Sequence, residues 1–136
     1  MTRTQDPFSG NWTLNAHQSN FDPNHRPLTA TMRWEQTPDG YHMRAEGQKP
    51  DGQTVVDQMS FVLDGREYPI AAVPGTTAFS EQTEPRTLRS VGRKDGKVVG
   101  EATYAVSEDG STLTATVWGV DAQQRPFQTV VVWDRG

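Results

Sequence analysis

The sequence predicts an all-β protein: a single antiparallel up-and-down β-barrel of about eight to ten strands with little helix. Three observations carry that prediction. Asp-Gly occurs five times, at Asp39-Gly40, Asp51-Gly52, Asp64-Gly65, Asp95-Gly96 and Asp109-Gly110; it favours tight hairpins because a type I′ turn needs positive φ at both central residues. Between the turns, apolar and polar residues alternate with a period of two, which sends successive side chains to opposite faces of a sheet. Pro74-Gly75, Glu84-Pro85 and the polar stretch 121–124 supply further turns, so reversals arrive evenly along the chain.

Taken in order, the first run spans 8–15, with Phe8, Gly10, Trp12 and Leu14 on one face and Ser9, Asn11, Thr13 and Asn15 on the other. The polar, proline-bearing segment 16–28 is the only long loop expected, a candidate lid through Phe21 and His25. In 29–37, Ala30, Met32 and Trp34 oppose Thr31, Arg33 and Glu35; in 41–48, Tyr41, Met43 and Ala45 oppose His42, Arg44 and Glu46. Runs 53–63, 66–73, 76–83, 86–94 and 97–107 follow, each ended by a turn. In 111–120, Leu113, Ala115 and Val117 oppose Thr112, Thr114 and Thr116, and 126–134 ends the series. Hairpin links make sequence neighbours sheet neighbours, and closing the meander removes two unpaired edges. A two-layer sandwich, which needs longer crossing connections, is the alternative.

The 136 residues read as a single domain, with 1–7 a flexible N-terminus. Val, Ile, Leu and Phe account for only 24 of 136 residues, a share at which disorder is a live reading only if net charge is also high; here the charge is modest, and 4 Trp and 3 Tyr add apolar area. Without cysteine there is no disulfide, thiolate metal site or cysteine nucleophile. A net charge of -4 argues against a nucleic-acid face, and no apolar run approaches the roughly 20 residues of a membrane helix. The N-terminus lacks the apolar core of a secretory signal. Cytoplasm is therefore the default, with secreted or periplasmic location open if a signal was removed.

The alternation places Met32, Trp34, Tyr41, Met43, Met59, Phe61 and Tyr104 on the inner face, a soft and aromatic lining suited to an apolar or aromatic molecule. The same side chains would fill a small barrel completely, and both outcomes stay open. Tyr68, Tyr104 and Trp118 are the polar handles that would orient a ligand. Asp57 shares the parity of Val55, Met59 and Phe61, and an inward carboxylate in an apolar barrel is a candidate general base. Glu101, between apolar stretches, is a second candidate. His42, Arg44 and Glu46 read as a solvated outer stripe. His17, His25 and His42 show no ligand spacing, so no metal site is expected.

Gly10-Asn11-Trp12 on the first strand and Arg135 after Val130-Val131-Val132-Trp133-Asp134 on the last resemble the calycin pattern shared by lipocalins and their relatives. The resemblance implies that Trp12 plugs the closed end of the barrel, with Arg135 stacked across it and Gly10 completing the motif. Phe8 to Asn15, Ser19-Asn20-Phe21, Asp64 to Pro69 and Ser107 to Leu113 also resemble bacterial lipocalin-like proteins. Topology agrees independently: ten strands alternating in direction bring Arg135 back to the level of Trp12.

The function expected is a lipocalin-like barrel binding a small hydrophobic molecule in its interior, without a cofactor, as a monomer or weak homodimer. The alternative is a cofactor-independent isomerase, cyclase or hydrolase using an inward carboxylate; a haem-binding barrel is a third reading.

Overall fold

The computed structural model of the protein describes residues 7–20, 29–49, 51–69, 75–120 and 125–136. Ten strands run in chain order: β1 (Gly10–Asn20), β2 (Thr29–Thr37), β3 (Gly40–Gln48), β4 (Thr54–Val62), β5 (Tyr68–Pro69), β6 (Thr76–Glu84), β7 (Thr87–Lys94), β8 (Lys97–Val106), β9 (Thr112–Val120) and β10 (Pro126–Arg135). They form a single antiparallel sheet in the order β4-β3-β2-β1-β10-β9-β8-β7-β6-β5. The first and last strands therefore lie side by side, and the meander curls into a barrel. No helix among the described residues is long and apolar enough to cross a membrane.

Three expectations need correction. Among the described residues the barrel is not hydrogen-bonded all the way round: β4 and β5 are the ends of the strand order, and β4 approaches β6 across a seam. β5 is only two residues long, and Pro69 has no N–H to offer a ladder. The chain before it is tied into a local turn, in which Asp64 accepts from the Arg66 amide at 2.9 Å and from the Tyr68 hydroxyl. Of the strand expected over 66–73, residues 70–73 lie outside those described.

The second correction concerns 16–28, expected as loop. β1 continues to Asn20 beside β10, with an irregularity between Asn15 and Asn20. Ser19 holds it: its Oγ donates to the Asn15 carbonyl at 2.7 Å and accepts from the Val132 amide at 2.8 Å. Phe21 and His25, the proposed lid residues, lie outside the described residues.

The third concerns turn chemistry. Only Asp95-Gly96 has positive φ at both residues, 52° and 77°, as type I′ demands. At Asp51, Asp64 and Asp109 the carboxylate instead accepts from the amide two residues on, at 2.9, 2.9 and 3.0 Å, while the following glycine takes the positive φ. The turn at Asp39 cannot be type I′, because Pro38 precedes it with φ fixed negative. Gly40 serves packing there: a Cβ would lie 1.7 Å from the Phe61 carbonyl oxygen.

The closed end is packed with rings. Trp34 stacks on Phe61 at 5.1 Å and 5°, and meets Phe8, Tyr41 and Tyr104 at 5.3, 5.9 and 5.3 Å. Trp12, Leu88 and Leu113 are fully buried around this hub. Such offset and edge contacts add about 0.5–1.5 kcal/mol each beyond burial. The Trp12 indole donates to the Phe8 carbonyl at 2.9 Å, and Arg135 lies over its outer face. Trp12 and Arg135 also oppose each other in the β1–β10 ladder, as the strand count requires.

Candidate functional site

Above the ring layer the inner face changes character. In register across the sheet, Ala78 opposes Gly92 and Ser80 opposes Ser90 between β6 and β7. Gly92 faces Gly100 on β8, and Gly100 faces Gly119 on β9. Phe127, paired with Gly119, lays its ring where a Cβ would sit, 3.0 Å away. Residues this small cannot fill the barrel bore, so space is left.

That space is a cavity of about 360 Å³ at the seam, bordered by Met59, Tyr68, Pro69, Ala78, Ser80 and Ser90. A second, of about 250 Å³, shares Met59, Ala78 and Ser90 and continues to Ala102, Val117 and Phe127. The first alone is within the size range of small-molecule sites. The walls are mostly apolar. Their polar residues are Gln58, Ser60, Ser80 and Ser90 in the first and Glu101 and Trp118 in the second; Ser80 and Ser90 are buried with their Oγ atoms 3.3 Å apart. The buried Thr76 Oγ1, on the same face, has no hydrogen-bond partner among the described residues.

The expected ligand-contact residues divide into three groups. Met32, Trp34, Tyr41, Met43, Phe61 and Tyr104 are inside but packed on one another as core. Burial pushes the Tyr104 phenol up to about 12, with the negative charge of Asp57 adding to the effect. Met59 borders both cavities. Tyr68 borders the first from the sheet edge, and its hydroxyl is already engaged by Asp64. Trp118 is not the inward handle expected. It alternates with the buried Gly119, is 38% exposed on the outer face, and its indole bonds Glu101.

Glu101 is likewise outside, a correction to its reading as an inward base. It alternates with the inward Gly100 and Ala102, and Arg89 Nε lies 2.6 Å from its carboxylate. Arg89 also holds Glu81 at 3.0 Å. The Arg89 hydrogen bond holds Glu101 below the usual carboxylate range, which weakens it as a base. Asp57 keeps its inward parity, opposite Ala45 and above Met59 and Phe61, but stands exposed at the mouth.

The His42, Arg44, Glu46 stripe does face outward: Arg44 pairs with Glu46 at 2.7 Å and His42 with Ser60 at 3.3 Å. His17 is exposed, and no group of three metal-binding side chains occurs among the described residues. The residues that shape the cavity (Ala78, Ser80, Ser90, Ala102 and the glycine row) had a readable signal. They are small residues at inward parity on four successive strands.

No family model matches the sequence, and no curated protein matches it significantly. Solved structures do match in fold. Wild-type fluorescent protein UnaG is similar with a TM-score of 0.63 and 17% identity, over 95% of this chain and 97% of that one. A Schistosoma mansoni fatty acid binding protein in complex with arachidonic acid gives 0.63 and 18%, over 96% of both chains. Zebrafish ileal bile acid-binding protein complexed with cholic acid gives 0.59 and 14%, over 96% of this chain and 99% of that one. The chain has a calycin-like β-barrel fold.

Proposed function

We propose that the protein is a binding module that holds one small apolar or aromatic molecule in the upper half of its barrel. The observation that carries this reading is the division of the bore. Rings seal its lower half, while the small residues Ala78, Ser80 and Ser90 leave about 360 Å³ open at the seam above. Two proteins of the same fold were solved with an amphiphile of this general kind, arachidonic acid and cholic acid, which supports the reading. The likeness of the strand-one motif to bacterial lipocalin-like proteins points the same way, and a cytoplasmic location fits a carrier of this type. The enzymatic alternative keeps Asp57 as its one inward carboxylate.

Native mass spectrometry of freshly purified protein tests this reading. A one-to-one adduct, either co-purified or formed with added dodecanol and lost on unfolding, is expected. Absence of any such adduct with excess dodecanol would contradict it.

A further inference from the structure

We infer that the molecule taken up carries a positive charge at its polar end: a protonated amine or quaternary ammonium on an apolar body, seated with its cation against Asp57. This rests on the binding reading above and sets its ligand apart from the carboxylates bound by the two fold relatives.

The argument begins with where the charges of the barrel point. The strand carboxylates Glu35, Glu46, Glu81 and Glu101 lie on the outer face, each paired with an arginine of that face: Arg33 at 2.9 Å, Arg44 at 2.7 Å, and Arg89 at 3.0 and 2.6 Å. Arg93 is also outside, over the Phe79 ring and 3.6 Å from Glu67. Arg135 is spent on the floor, separated from the cavity by Trp12. Asp57 is the only carboxylate that the register places on the inner face of the described strands, and it forms no ion pair among the described residues.

The register sets that carboxylate on the inner face, opposite Ala45 and in line with Met59 and Phe61; burial raises the Tyr104 phenol, and the negative charge of Asp57 acts in the same direction. From the mouth downward the wall runs from this carboxylate to Met59, then to the Ser80–Ser90 hydroxyl pair. Asp57 borders neither cavity, but it stands one inward position above Met59, which borders both, so an apolar body that extends from the cavity toward the mouth meets a carboxylate. A cation there gains an attractive pair at the exposed mouth, whereas a carboxylate meets a like charge. Lys49 before β4, Lys94 and Lys97 at the tip of the β7–β8 hairpin, and Arg125 before β10 are exposed at the same end among the described residues, and they are the competing anchors for an anion.

The test compares dodecylamine, dodecanol and dodecanoate by calorimetry on the full chain at neutral pH, below their aggregation limits, with Asp57→Asn alongside. The amine is expected to bind about tenfold tighter than dodecanoate. Asp57→Asn should shrink that gap to about twofold while dodecanol binding stays unchanged, the alcohol serving as the check that the variant is folded. Dodecanoate binding as tightly as the amine, or a gap indifferent to Asp57→Asn, would overturn the inference and leave the binding reading standing if dodecanol still binds. Failure of all three to bind would overturn both.

Discussion

Arg135 lies over Trp12, its guanidinium carbon 4.2 Å from the ring centroid, and spends its nitrogens on three carbonyls. Nε donates to Gly110 at 2.7 Å, Nη1 to Ser9 at 2.9 Å and Nη2 to Pro7 at 2.7 Å. One side chain thus ties the last strand to the β8–β9 turn and to the segment preceding β1. Only a planar fork can stack and reach three acceptors together.

Arg135→Ala should therefore cost about 2 kcal/mol, discounted for the exposure of the pair. Arg135→Lys should restore less than half of it. Urea unfolding midpoints of the three proteins check this, and equal stability of the lysine and wild-type forms would show that charge alone matters.

Gly40→Ala should destabilise by about 2 kcal/mol or more. The clash is with a backbone carbonyl, that of Phe61 at 1.7 Å, so no side chain can swing away to relieve it. The β3–β4 hairpin would have to part beside the ring layer. Loss of near-ultraviolet circular dichroism with an unfolding midpoint lowered is the expected result.

Asp109 accepts from Ser107 Oγ at 2.6 Å, Ser111 Oγ at 2.8 Å and the Ser111 amide at 3.0 Å. These bonds lower its carboxyl from 3.8 to about 2. The folded value lies below the unfolded one, so the stabilisation is complete above about pH 4 and fades as pH falls toward 2. Asp109→Asn should be less stable than wild type at neutral pH, and the difference should narrow over that acid window. A difference constant from neutral pH to pH 2 would contradict the assignment.

Glu101→Gln should leave ligand affinity unchanged within about twofold, because the carboxylate is engaged by the outer Arg89–Glu81 cluster, although the residue borders the smaller cavity. Titration with dodecanol checks it, and a large loss of binding would return Glu101 to the site.

Alternation made most of the fold legible. It predicts the strand around Met32 and Trp34 at 29–37, as found, and counting strands predicts the return of Arg135 to Trp12. The seam does not follow from periodicity, because it depends on whether two edges meet; among the described residues β5 is the short Tyr68–Pro69, and the chain before it is tied into the Asp64 turn. Glu101 misled because β8 carries Val98 and Val99 before the irregularity between Gly92 and Arg93 in its pairing with β7, which blurs parity. Attention to large inward side chains found the packed rings. The cavity is made by the small ones, Ala78, Ser80, Ser90 and Gly100, whose contribution is the volume they leave.

Nile red titration of wild type and Ser90→Leu tests the hollow upper bore most directly. One neutral dye should bind per wild-type chain, and Ser90→Leu, which places a larger apolar side chain in the cavity, should weaken it about tenfold with stability unchanged or raised. Dye binding untouched by Ser90→Leu, or a loss of stability of about 1–3 kcal/mol as in an overpacked core, would mean that the space between β4 and β7 is already full.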